Sequence, residues 1–211
     1  GADQEIVTQF SMNTVAALGL LKMDFLGLRN LDVIDKACAL IGGGLRIEDI
    51  PLDDKKVYAM LARGETAGVF QFEGSGMREA MRSVKPTVFD DLIAIGALYR
   101  PGPMAYIPVY ARRKNGQEAV AYVDERLKEI TSATYGICIY QEQYMEIAKK
   151  VAGFSPAEAD DLRKAIGTTI PSLMASLKEK LLEGCASNGV AVGVANPHWA
   201  DMEQAKDYSF N

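Results

Sequence analysis

The chain has 211 residues, with 23 Lys+Arg against 28 Asp+Glu and a formal charge of −5; 48% of residues are hydrophobic and 24% charged, which suits a soluble globular chain able to bury a core. Three cysteines (Cys38, Cys138, Cys185) are too few and too scattered for a disulfide framework or a zinc site, and favour a reducing, intracellular setting. No apolar stretch approaches the roughly 20 residues of a membrane span, no signal peptide is expected, and the mildly acidic balance argues against a dedicated nucleic-acid-binding module.

Residues 18–28 are apolar except for Lys22 and Asp24, and residues 30–41 carry Leu31, Ile34, Ala37, Cys38 and Ile41 at helical spacing before Gly42, Gly43 and Gly44. Pro51 opens a second helix through Leu61, with Asp53 or Asp54 as N-cap and Gly64 as its stop. Residues 68–72 read as a short strand, 75–83 as a helix, and 89–99 as a strongly apolar helix halted by Arg100-Pro101-Gly102-Pro103. Residues 106–118 mix aromatics with Arg112-Arg113-Lys114. A short strand over 135–140 feeds a helix over 141–152, closed by Gly153. Ser155-Pro156-Ala157-Glu158 is a capping box with proline in the first turn, and Gly167 is the matching stop. Residues 171–183 place Leu173, Leu177 and Leu181 at four-residue spacing, with Gly184 after them, and Asn196-Pro197 starts a last helical piece. The expected fold is mainly α with a few short β-strands.

Chemistry has few places to sit. In a strand, Lys22 and Asp24 share one face of an otherwise apolar segment. An ion pair at a strand edge accounts for them, and so does a metal-binding carboxylate beside a phosphate-binding cation. One carboxylate is not a two-metal site, and no Asp-x-Asp pair occurs in the chain. Arg163-Lys164, near the end of the Ser155-capped helix, is by spacing alone first a pair of cations complementing the helix macrodipole, and the grip of a triphosphate is the alternative. Tyr99, Arg100, Tyr106, Tyr110, Arg112, Arg113 and Lys114 form a basic and aromatic set that fits a nucleic-acid backbone with stacking bases, or an ordinary solvated surface. Tyr140, Gln141, Gln143 and Tyr144 cluster where a strand turns into a helix; their amides can meet base edges or cap local backbone. His198 is the single histidine, so neither a Ser-His-Asp triad nor a histidine metal cluster can form, and no P-loop or Rossmann glycine pattern is present.

The order of these segments is more specific than any one of them. Leu21-Lys22-Met23-Asp24-Phe25-Leu26-Gly27-Leu28 resembles the third active-site motif of the C-family replicative polymerases, the bacterial DNA polymerase III alpha subunits. The likeness continues in register through Gly68-Val69-Phe70-Gln71, Glu73-Gly74-Ser75-Gly76-Met77, Asp91-Leu92-Ile93-Ala94 and Ala97-Leu98-Tyr99-Arg100-Pro101-Gly102-Pro103. Tyr135-Gly136-Ile137, Tyr140-Gln141-Glu142-Gln143 and the run from Ala159 to Gly167 follow in the family order. Asp207-Tyr208-Ser209-Phe210-Asn211 resembles the stretch just before the family's Lys-Ser-His segment.

The resemblance implies a palm edge over 1–29 and a helical fingers domain over 30–211, truncated at its C-terminal end. It implies that Asp24 is one of three catalytic, metal-holding aspartates, the other two lying on an upstream strand. Lys22, Arg163, Lys164 and Arg100 would face nucleotide phosphates, with Gln71, Tyr140, Gln141 and Gln143 as template or base contacts. In the intact enzyme two Mg²⁺ ions would serve addition of deoxynucleotides to a primer 3′-end. Template-primer DNA, deoxynucleoside triphosphates, the rest of the catalytic subunit and other replisome subunits would be partners, in the cytoplasm and without membrane contact. The isolated fragment is expected to be inactive. Where the family commonly continues Gly-Lys-Lys, this chain has Gly167-Thr168-Thr169, two cations fewer. Two other readings stand beside this one: a helical protein-interaction or scaffold module without catalysis, and a complete small nucleotidyltransferase.

Overall fold

Apolar periodicity turns into helices throughout the computed structural model, which describes residues 7–21, 23, 25–122, 124–168 and 171–190. The chain divides into two units, Gly1–Ile50 and Pro51–Asn211. In the first, a short helix α1 (Met12–Ala17) precedes α2 (Arg29–Ile41), the helix expected over 30–41, and a 3₁₀ turn follows at Ile47–Asp49. Leu31, Ile34 and Cys38 of α2 line a shallow hollow with Leu45 and Ile47. None of these three elements buries a residue. Phe25 and Leu26, in irregular backbone ahead of α2, are 89% and 93% exposed.

The second unit holds two apolar cores. The first gathers α3 (Lys55–Ala62), α4 (Ser75–Val84), α5 (Phe89–Leu98) and α6 (Ile107–Lys114) around Met81, Val84, Ile95, Leu98 and Tyr110. The second gathers α7 (Glu125–Thr131), α8 (Gln141–Ala152), α9 (Pro156–Thr168) and α10 (Pro171–Ser187) around Tyr144, Val151, Leu162, Ile166 and Leu181. Two features lace them together: Ile137 and Ile139, just ahead of α8, are buried in the first core, while Tyr106 packs against both. Full burial of side chains this large contributes about 1.5–3 kcal/mol each before ordering costs.

Local chemistry sets the helix ends. Asp54 caps α3 by accepting from the Lys56 N–H at 2.7 Å. Glu158 accepts from the Ser155 N–H and hydroxyl, both at 2.8 Å, and the Glu158 N–H reaches back to the Ser155 hydroxyl at 3.3 Å, which completes the expected capping box. Gly153 closes α8 in the left-handed region at φ 74°.

Both expected strands of the second unit are turns instead, and no described segment forms a strand longer than a single bridged residue, Tyr140. In 68–72, the buried Thr66 hydroxyl donates to the Phe72 carbonyl at 2.6 Å, Glu73 accepts from the Gly68 N–H at 2.7 Å, and Gln71 is held at φ 63°, which no strand permits. In 135–140, Tyr135 and Gly136 both have positive φ, and the Gly136 N–H returns to the Thr131 carbonyl at 2.9 Å.

Two glycine stops also read differently. The helix α9 runs past Gly167 to Thr168, and α10 runs through Gly184 to Ser187. At Gly184 a β-carbon would overlap the Ala152 carbonyl of α8, so this glycine serves close helix approach rather than termination. The basic and aromatic segment 106–118 is a 3₁₀ turn at Pro103–Tyr106 followed by α6. Asn196-Pro197 and its expected helix lie outside the described residues.

Candidate functional site

The sequence-derived site residues fall into several separate groups. Lys22 and Asp24, the candidate phosphate and metal residues, lie outside the described residues, as do Thr169, His198 and the 207–211 segment. Among the described residues no group of three or more His, Cys, Asp or Glu is placed to hold a metal ion.

Arg163 and Lys164 stand on the outer side of α9, whose inner side is fixed by the buried Ala159, Leu162, Ala165 and Ile166. Because α9 continues to Thr168, the two cations sit a turn earlier than macrodipole compensation would ask. Their partner is Asp160, one turn back. Arg163 Nε donates to Asp160 Oδ1 at 2.9 Å, and Lys164 Nζ lies 2.8 Å from Asp160 Oδ2 and 3.8 Å from Asp161 Oδ1. Hydrogen bonds from Lys164 and then Arg163 hold the Asp160 carboxyl below the usual carboxylate range, and Asp160 in turn raises Lys164. Asp160 is not among the sequence-derived site residues; its i,i+3 and i,i+4 spacing to Arg163 and Lys164 is the signal that ties it to them.

Arg100 is half-buried at the exit of α5. Its Nε donates to the Ala97 carbonyl at 3.2 Å, and its own carbonyl accepts from the Met104 N–H at 3.2 Å across the Pro-Gly turn, where Gly102 has φ 100°. Gln71 is exposed on the Thr66–Glu73 turn and shares an apolar hollow with Phe72, Phe89, Leu92 and Ile93.

At the start of α8 the glutamines have different surroundings. Gln143 is 7% exposed, and its amide is spent inside the fold: Oε1 accepts from the N–H groups of Ile139 at 2.7 Å and Tyr140 at 3.0 Å. Its Nε2 donates to Thr134 Oγ1 at 2.8 Å and to the Ile130 carbonyl at 3.3 Å. The arrangement ties the end of α7 to the start of α8. Tyr140 occupies the N-cap position of α8, and Gln141 follows it as the first helical residue, both half-buried.

The basic and aromatic set is largely structural. Tyr110 is buried at 1% exposure and donates to Asp91 Oδ1 at 3.2 Å, and burial followed by the Asp91 charge pushes its hydroxyl pKa up. Asp91, itself 2% exposed, also accepts from the Thr87 and Val88 N–H groups at 2.8 and 3.2 Å and pairs with Lys114 at 3.3 Å. Lys114 donates to the Lys85 carbonyl at 2.9 Å, so its charge is enclosed. Arg112 and Arg113 share Glu118, each at 2.9 Å, and Arg113 also donates to the Tyr135 carbonyl at 3.0 Å. These cations hold α6 in place, and nothing in their contacts directs them to a ligand.

A family model described as the bacterial DNA polymerase III alpha subunit finger domain matches residues 30–189. Curated proteins named DNA polymerase III subunit alpha are similar across nearly the whole chain. The one from Thermus aquaticus is 46% identical over 214 residues, covering 97% of this chain and 18% of that protein. That of Aquifex aeolicus is 43% identical, covering 98% of this chain and 18% of its own length, and that of Bacillus subtilis is 40% identical, covering 97% and 19%. The chain thus spans about a fifth of the length of the curated relatives it matches.

Proposed function

The chain belongs to the bacterial DNA polymerase III alpha subunit finger domain family, and from that premise we propose that it is the part of a replicative polymerase catalytic subunit that receives the incoming nucleotide and the template-primer. The intact enzyme would add deoxynucleotides to a primer 3′-end in the cytoplasm. The observation that carries the reading is the adjacent pair Arg163 and Lys164, displayed on a helix whose opposite side is locked into a buried core. An Arg fork and a Lys ammonium side by side match the oxygens of a triphosphate. Arg100, pinned by the turn that follows α5, is a second phosphate-facing candidate.

Lys22 would add phosphate charge, and Asp24 would be this chain's ligand to the metal. Two Mg²⁺ ions, when bound, would activate the primer hydroxyl and stabilise the leaving oxygens. With one candidate ligand here, the remaining carboxylates would come from other parts of the subunit. Gln71, Tyr140 and Gln141 are candidates for template or base contact. Gln143, with its amide engaged in the fold, would act by positioning Tyr140 and Gln141.

The uncovered apolar residues Phe25, Leu26 and Ile41 support the further reading that the remainder of the catalytic subunit covers the first unit. No helix among the described residues is long and apolar enough to cross a membrane.

The test is kinetic. In the full-length subunit, Arg163→Ala with Lys164→Ala should raise KM for deoxynucleotides more than tenfold and leave primer-template affinity within about twofold. Unchanged KM would reject the assignment. The 211-residue chain alone should not extend a primer; extension above background that Asp24→Ala abolishes would overturn its reading as a fragment of the active site.

A further inference from the structure

Resting on the reading of Arg163 and Lys164 as triphosphate-facing residues, we infer that Asp160 is their internal counter-ion, a group that a triphosphate has to displace and that sets how strongly any phosphate binds. The patch is electrically balanced in the absence of ligand. Two cations face two carboxylates within 4 Å, and Asp160 takes both cations at once, one on each oxygen. All the side chains involved are between 37% and 58% exposed, so an anion from solvent can reach the same nitrogen atoms that Asp160 holds.

The exchange is feasible because the pairs are weak. An exposed ion pair is worth at most about fivefold in an equilibrium constant, whereas a triphosphate offers several charged oxygens to an Arg and a Lys together. Asp160 therefore subtracts a modest, constant factor from every phosphate ligand. A ligand with one phosphate, or a stray segment of nucleic-acid backbone, is left with little affinity; one with three keeps enough to bind. Asp160 is a positioning residue in this scheme, a threshold common to all phosphate ligands, since it acts through Arg163 and Lys164 and touches no substrate.

Asp161 supplies the built-in comparison. It carries the same charge one residue on, but it reaches only Lys164, at 3.8 Å, and leaves Arg163 alone. A generic charge effect would treat the two aspartates alike. A counter-ion effect would not.

The experiment is calorimetric titration of the 211-residue chain with metal-free sodium tripolyphosphate, with orthophosphate in parallel, across a range of sodium chloride concentrations. Asp160→Asn and Asp160→Ala should both tighten tripolyphosphate about three- to tenfold at low salt and steepen the salt dependence. Asp161→Asn should give less than half that gain. Arg163→Ala with Lys164→Ala should abolish binding. If the Asp160 variants bind no more tightly than wild type, or if Asp161→Asn matches them, the counter-ion role is wrong while the triphosphate reading survives. If the Arg163 and Lys164 double variant binds as wild type does, or if no variant binds, the triphosphate reading fails and takes this inference with it. Steeper salt dependence separates release of a counter-ion from a change in helix stability, which would leave that slope unmoved.

Discussion

Ile41 and Ile166 are both isoleucines near the end of a 13-residue helix, yet the first is 71% exposed and the second 1%. The first unit has the periodicity of a core helix without a core, since α2 carries Leu31, Ile34 and Ile41 and buries none of them. In the second unit the same spacing on α8, α9 and α10 closes around Leu162, Ile166 and Leu181. Periodicity therefore specifies the helix and the side on which its apolar residues lie, and the availability of a partner decides whether that side contributes stability.

If the contrast is sound, substitutions should grade accordingly. The heaviest loss belongs to Asp91→Ala, which leaves Lys114 enclosed without its carboxylate and should cost about 3–5 kcal/mol in urea unfolding; a loss under about 1 kcal/mol would mean that the second unit is not organised around this pair. Next comes Gly184→Ala. Its β-carbon meets the Ala152 backbone, which has no soft end to yield, so a cost of about 3 kcal/mol is expected. Retention of the wild-type urea midpoint would show that α8 and α10 are not packed so closely.

A milder effect should appear with pH. Glu158 is held at about 2, first by Lys180 and then by Ser155, against an ordinary value of 4.5. A depressed carboxyl stabilises the folded state above its ordinary range and loses that contribution as pH falls from about 4.5 toward 2. Glu158→Gln should flatten the stability profile in that window, and a profile of unchanged slope would rule the interaction out. Smallest of all, Ile41→Ala should shift stability of the isolated chain by less than about 0.5 kcal/mol. A core-sized loss there would break the comparison outright, because it would require α2 to be covered.

How far the sequence carried the fold depended on the range of the signal. The helix over 141–152 coincides with α8, and the Ser155–Glu158 box formed as written, because capping residues and apolar spacing act within a turn or two. The apolar runs at 68–72 and 135–140 carry a strand pattern yet form turns, because their deciding bonds come from Thr66 and Thr131, outside the runs themselves. Gly184 looked like a stop because nothing in its neighbourhood reveals the Ala152 carbonyl 32 residues earlier. The basic run Arg112-Arg113-Lys114 suggested a ligand surface, and Asp91 and Glu118 absorb it instead. Mainly α architecture was legible throughout. Of the candidate site, Arg163 and Lys164 were legible by order of motifs, and Asp160's hold on them only by distance. The acidic net charge of −5 is an average over such pairings, and it governs solubility and steering more than any one site.

Tyr106 packs against both cores of the second unit, and Ile137 and Ile139 carry the lead-in of α8 into the core built by α3 to α6. Such lacing makes the two cores parts of one compact unit. Arg100 follows α5 of one core, and Arg163 and Lys164 stand on α9 of the other, so Tyr106, Ile137 and Ile139 are the side chains that join the two phosphate-facing candidates into one packed body.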